Sequence, residues 1–349
     1  MCGEVHLTLP YLRHCKALQS GGGVWAGATT RVAATDVTME SCEAGRGGGG
    51  IYLLYTAARL RRTTFESCTA GTPFTHSRHQ PREQGAATGE DIQSSGPGEG
   101  CGGGVTIHGG TLHASEVQVL RCRAHHEGGG LSIGSEALVV MSDSLVQECE
   151  LEMVRGLGSA AYVSRGGTLD MANSSILRCH SKLSGTAYVE GNLTLSQGSE
   201  LAECEGRDLG TSGMTEESRR GGVLWVRHGG RARLLRSSVR DNSVFDLSAT
   251  ETSFAVASVD VGGSLEVFHS VFENNSITSV NQGASGAAAV YVHRGASLLA
   301  VGMQLGLACG APLSKPAIAA DSAAPPAPLP AVGFSDGALL LPSTSLRPP

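Results

Sequence analysis

One four-residue phrase recurs nine times along this chain of 349 residues and restricts its fold more than any other feature. It is an apolar residue, two variable residues, then Cys or Asn. The copies are Leu12–Cys15, Met39–Cys42, Phe65–Cys68, Val119–Cys122, Val146–Cys149, Ile176–Cys179, Leu201–Cys204, Val239–Asn242 and Phe272–Asn275. Between them stand small residues followed by an apolar-x-apolar anchor. Gly-Gly-Gly precedes Val24, Ile51, Val105 and Leu131, and weaker anchors centre on Ala161, Ala187, Leu224, Ala257 and Val290. Each of the first eight anchors lies 17 or 18 residues before its Cys or Asn. The way back to the next anchor varies from 8 to 37 residues. One half of the unit is fixed in length, and every insertion falls in the same connection.

The fixed half reads as very short strands with period-2 alternation, broken by glycine turns. Val105-Thr-Ile107, then Gly109-Gly110, then Leu112, Val117 and Val119 is one such run. Sustained helical periodicity is lacking throughout. Three short strands per unit of about 26 residues describe one coil of a parallel β-helix. No coil can bury its apolar face alone, so coils stack, and equivalent residues form columns along the axis. The expected fold is therefore all-β, a right-handed parallel β-helix of nine to ten rungs spanning residues 1–310. Within it, 71–100 is an inserted flexible loop rich in Gly, Ser, Gln and Glu, and 206–221 is a second excursion. Residues 311–349 hold nine of the thirteen prolines and read as a disordered Pro/Ala/Ser-rich tail.

Glycine-triplet anchors followed by apolar-x-x-Asn, here mostly Cys, resemble the chlamydial polymorphic outer-membrane protein repeat. More broadly the chain resembles the right-handed β-helix, or pectin-lyase-like, superfamily, over residues 5 to 310. The resemblance implies a β-helical architecture and says little about chemistry. The superfamily includes polysaccharide lyases, glycoside hydrolases, phage tailspikes and surface adhesins. A cell-surface or extracellular place and glycan or surface-protein partners are what it implies here. Leucine-rich repeats fit less well, because Ser144, Ser174 and Thr63 occupy a position that they reserve for apolar residues. Calcium-binding nonapeptide rolls need a GGxGxD motif that never occurs.

Seven cysteines (Cys15, Cys42, Cys68, Cys122, Cys149, Cys179 and Cys204) share the ladder position, continued by Asn242 and Asn275. Stacked buried thiols are the favoured reading. Disulfides between rungs are the alternative: Cα atoms one rung apart are close enough, but parallel Cβ vectors make the bond dihedral awkward. No CxxC or HxxxH occurs, and His125-His126 and His76/His79 read as loop histidines, so no metal or cofactor is expected. A net charge of -6 argues against a nucleic-acid partner. No apolar run is long enough to span a membrane. Asn173, Asn192 and Asn274 head glycosylation-type triplets. The first twenty residues do not form a signal peptide. A rung is already under way there, so a missing upstream leader and cap are expected.

The middle residue of each anchor strand is expected to point outward. Down the stack these are Trp25, Tyr52, Thr106, Ser132, Tyr162, Tyr188, Trp225, Ser258 and Tyr291. The six aromatics Trp25, Tyr52, Tyr162, Tyr188, Trp225 and Tyr291 would form an exposed row suited to sugar stacking or protein adhesion. High β-propensity and stacking of the rings on one another is the plainer account. The row has no acid or base near neutrality, which points away from catalysis. A second column, Arg121, Glu148, Arg178 and Glu203, continued by Asp241 and Glu273, reads as an ion-pair ladder. It is also where an active site would first be sought. The sequence thus favours a non-enzymatic binding module. A polysaccharide lyase or glycoside hydrolase is the runner-up, and a structural spacer is the third reading.

Overall fold

The computed structural model describes residues 3–71, 101–153, 156–182, 184–208, 222–246, 254–279, 286–293, 295–306, 318–320 and 339–340. His76, His79, Cys309, nearly all of the 71–100 insertion, most of the second excursion and most of the tail lie outside the described residues. Among the described residues every regular element is a strand. The strands form three sheets, of 18, 11 and 9 strands, here called first, second and third.

The path repeats. Ile51–Arg61 lies in the first sheet, Thr64–Glu66 in the second and Thr69–Ala70 in the third, and Val105–Ser115 then returns to the first. Each strand pairs in parallel with its counterpart one coil on, as in Ile51 with Val105, Phe65 with Val119 and Thr69 with Arg123. This is a parallel β-solenoid. Among the described residues one pairing, Gln304–Leu305 with Leu339–Leu340, is antiparallel and departs from the pattern.

Three corners turn each coil, and each needs left-handed backbone. The corner from the second to the third sheet is the residue just before the ladder position: Ser67, Arg121, Glu148, Arg178, Glu203 and Asp241 have φ of 50° to 55°. The corner from the first to the second sheet uses Asp36, Arg62, Glu116 and Asp143, again with positive φ. An L-residue in this region costs about 1–2 kcal/mol, so the cost repeats with every coil and must be met by packing. The return corner uses glycine. Gly102 has φ +62°; a Cβ on Gly103 would strike the carbonyls of Arg123 and Gly129, and one on Gly104 would reach Val119 Cγ1 at 2.7 Å. The triplet is therefore required by one turn and two close approaches.

The apolar residue of the recurring phrase points inward. Phe65, Val119, Val146, Ile176, Leu201, Val239 and Phe272 are all buried and join one continuous core with Leu112, Val139, Leu169 and Leu193. Two columns of small polar side chains satisfy backbone groups at the corners. In one, Ser144 Oγ accepts the Val117 N–H, Ser174 Oγ the Ser144 N–H, and Ser199 Oγ the Ser174 N–H, at 3.0–3.1 Å.

The other is the Cys/Asn ladder. Asn242 Nδ2 donates to Leu201 O, and Asn275 Nδ2 to Val239 O, each at 2.9 Å. Those carbonyls sit three residues before the preceding ladder member. Cysteine uses the same geometry: the Cys68 thiol reaches Met39 O at 3.3 Å, Cys122 reaches Phe65 O and Cys149 reaches Val119 O, both at 3.6 Å. The seven ladder cysteines are thiols, none of them in a disulfide. Thiol can stand in for amide because each can donate to the carbonyl of the neighbouring coil and accept a backbone N–H, the thiol with one weak donor where the amide has two.

Candidate functional site

The first half of the first sheet carries the aromatic row, and here the structure corrects the expectation of a solvent-facing strip. Trp25 is 57% exposed and Tyr162 half-buried, but Tyr52, Tyr188, Trp225 and Tyr291 are buried. Thr106, Ser132 and Ser258 in the same row are buried as well. Alternation alone assumed that whatever leaves the core meets water. Two neighbours prevent this. The return corner closes against the row, so that a Cβ on Gly48 would lie 2.8 Å from Tyr52 Cβ. On the other side a second column, two residues further along each strand, lays polar groups over the rings.

That second column is Glu190, Arg227, Asp260 and His293. Sequence reasoning missed it, although it was legible as the residue after each apolar-x-apolar anchor. The aromatic rings form its floor: Tyr162 and Tyr188 stack with centroids 5.7 Å apart, and Tyr188 meets Trp225 edge-on at 5.2 Å. The Arg227 guanidinium lies over both, 5.3 Å from the Trp225 ring and 5.9 Å from the Tyr188 ring. Such cation–π contacts are worth about 0.5–2 kcal/mol. Glu190 accepts hydrogen bonds from Tyr162 Oη and Tyr188 Oη, each at 3.4 Å.

Asp260 is the hub of the lower end. Its Oδ2 accepts from Trp225 Nε1 at 3.2 Å and faces Arg227 Nε at 3.1 Å, and its Oδ1 lies 3.6 Å from His293 Nε2. Asp260 and His293 are both buried, and the His293 ring packs on Tyr291 at 4.7 Å. At the upper end Cys101 Sγ donates to Glu127 Oε2 at 3.3 Å. Burial pushes the Glu127 carboxyl up, against the Cys101 hydrogen bond that lowers it. Burial, with the nearby Glu127 and Glu190 charges, pushes the Tyr162 hydroxyl up. Burial does the same to Tyr188, so both phenols stay protonated and donate to Glu190. The result is a continuous line of acids, phenols, an arginine and a histidine on a rigid sheet. It offers the half-buried Glu190 carboxylate as an acceptor and the half-buried Arg227 guanidinium as a donor, seated on rings that are themselves mostly buried.

The other predicted column is an ion-pair ladder. Arg121 pairs with Glu66 and, at 4.0 Å, with Glu148; Arg178 reaches Glu148 at 3.2 Å and Glu203 at 3.3 Å. The Gln147 amide, then the Arg178 guanidinium, hold the Glu148 carboxyl below its usual range. Asp241 pairs with Arg240. Among the described residues, no group of three or more His, Cys, Asp or Glu converges to hold a metal ion, and no helix is long and apolar enough to cross a membrane. No family model and no curated protein matches the chain.

Proposed function

We propose that this chain is a right-handed parallel β-helix of nine to ten coils, of the pectin-lyase-like kind, acting as a non-enzymatic surface module that binds a glycan or a protein. The contact face is the first half of the first sheet. The observation that carries the reading is Arg227, half-buried on the Tyr188 and Trp225 rings between Glu190 and Asp260. A guanidinium stacked on buried rings beside the half-buried Glu190 carboxylate presents donors and acceptors within about one coil, the polar pairing that carbohydrate and protein contacts use. Solid sheet backing fixes these groups, so little conformational entropy is lost on binding.

A glycan array probed with the wild type and with Arg227→Ala and Glu190→Gln tests the proposal. Loss of a binding signal by tenfold or more in both variants, at unchanged far-UV circular dichroism, is expected. Signals that survive both substitutions exclude this face. A second reading, a polysaccharide-active enzyme, draws support from Asp260 against His293 and from a second carboxylate, Glu190, two coils away. At about 4.8 Å per coil the two acids stand roughly 10 Å apart, close to the upper limit for an inverting pair. Incubation with pectins, alginates and chondroitins, followed for unsaturated products or new reducing ends, separates the readings. Turnover abolished by Asp260→Asn establishes the enzyme, and no turnover leaves the binding module.

A further inference from the structure

The cysteine ladder has a chemistry that its asparagine continuation lacks. Cys42, Cys68, Cys122, Cys149, Cys179 and Cys204 are fully buried in one column, with Cys15 half-buried at its end. The register is unbroken: Leu12, Met39, Phe65, Val119, Val146, Ile176 and Leu201, each three residues before its cysteine, pair in sequence from coil to coil. Neighbouring Cα atoms are therefore about 4.8 Å apart, and since each Sγ lies beside the carbonyl two residues before its own cysteine, the Cβ–Sγ bonds run nearly parallel. For a disulfide this is poor geometry, since the sulfurs must close to about 2.05 Å with a dihedral near 90°.

The same arrangement suits a bridge by one ion. Two metal–thiolate bonds of about 2.3 Å laid end to end span roughly 4.6 Å, one coil repeat. The ion would approach each sulfur about perpendicular to its Cβ–Sγ bond, where the lone pairs lie. Thiolate sulfur selects soft cations such as Cu(I), and among the described residues no group of three or more His, Cys, Asp or Glu converges there to complete a Zn²⁺ or Ca²⁺ site. The backbone contributes as well: the Cys149 N–H donates to Cys179 Sγ at 3.3 Å, a contact that strengthens when the sulfur is charged.

We propose that the cysteine column binds soft monovalent d10 cations, each held linearly between the thiolates of two neighbouring coils. Two thiols lose their protons to solvent and one cation enters, giving a bis-thiolate complex of charge −1, with no change of oxidation state. A sulfur shared by two such bridges would need metal on opposite sides along one line, against its bent lone pairs. Only alternate gaps fill, so seven sulfurs take at most three ions.

The test is a titration of the reduced full chain with Ag(I), a redox-stable member of the class. The background carries Cys2→Ser, Cys101→Ser and Cys309→Ser, which removes the cysteines outside the ladder. Three ions per chain, two protons released per ion and an X-ray absorption shell of two sulfurs are expected. Cys122→Asn with Cys149→Asn leaves Cys15, Cys42 and Cys68 on one side, whose two gaps share Cys42 and take one ion, and the Cys179–Cys204 gap on the other, so the count falls to two; Asn already serves this column at 242 and 275, so the coil is preserved. No uptake by the folded chain, an unchanged count in the double variant, or oxygen, nitrogen or a third sulfur in the wild-type shell overturns the proposal.

Discussion

Replacing Asn242 by Ala asks whether the ladder stabilises the coil or merely decorates it. The side chain is buried, accepts the Cys204 N–H at 2.9 Å, and donates to Leu201 O at 2.9 Å and Asn275 Oδ1 at 3.0 Å. Alanine strands the Cys204 N–H and loses both donations from Nδ2. A buried group left unpaired costs about 1–3 kcal/mol, so with Leu201 O the expected loss is about 3–4 kcal/mol. Asn242→Cys restores the residue type used by the seven coils before it. Its thiol keeps a weak donor toward Leu201 O and a weak acceptor for the Cys204 N–H, for an expected loss of about 1–2 kcal/mol. Urea denaturation under reducing conditions measures both. Coils need not unfold together, so native-state hydrogen exchange at the Cys204 amide supplies a local reading. Protection there should fall by at least tenfold in the alanine variant and only slightly in the cysteine variant. Equal losses in the two variants would refute the claim that the side-chain hydrogen bonds do the stabilising.

The correction to the aromatic row makes Trp225→Ala and Trp25→Ala a sharp pair: the first should destabilise by about 3–5 kcal/mol, the second, 57% exposed, by under about 1 kcal/mol, as read from thermal melts. The Glu127 carboxyl is raised above its ordinary value by burial, so the folded chain holds that proton more tightly than the unfolded chain. Its contribution is present at low pH and lost as pH rises through the folded value; a stability–pH curve for Glu127→Gln should therefore lack that decline. Glu116 holds φ 56° at a corner and only a 3.8 Å contact with Arg61. Glu116→Gly should be neutral or slightly stabilising and Glu116→Val should cost more than about 1 kcal/mol. Equal melting temperatures for those two would remove backbone strain from the account.

The coil itself was written in one dimension. Seventeen or eighteen residues between anchor and ladder position, with an apolar residue three before the ladder, fix which side chains enter the core whatever surrounds them. The glycine triplets encode one turn and two close approaches, and Ser144 and Ser174 already stand in register for a second ladder. The charged column before the ladder was equally legible, because residues one coil apart must be neighbours once coils stack.

The sequence by itself determined periodicity, hence the stack, its inner columns and its ladders. Only the tertiary structure decided what covers the outer face. Alternation sends Tyr188 and Trp225 out of the core, but whether they meet water depends on how far the return corner closes and on where Glu190, Arg227 and Asp260 lie in space. A period of two distinguishes inside from outside a sheet; it has no term for a second layer laid upon it.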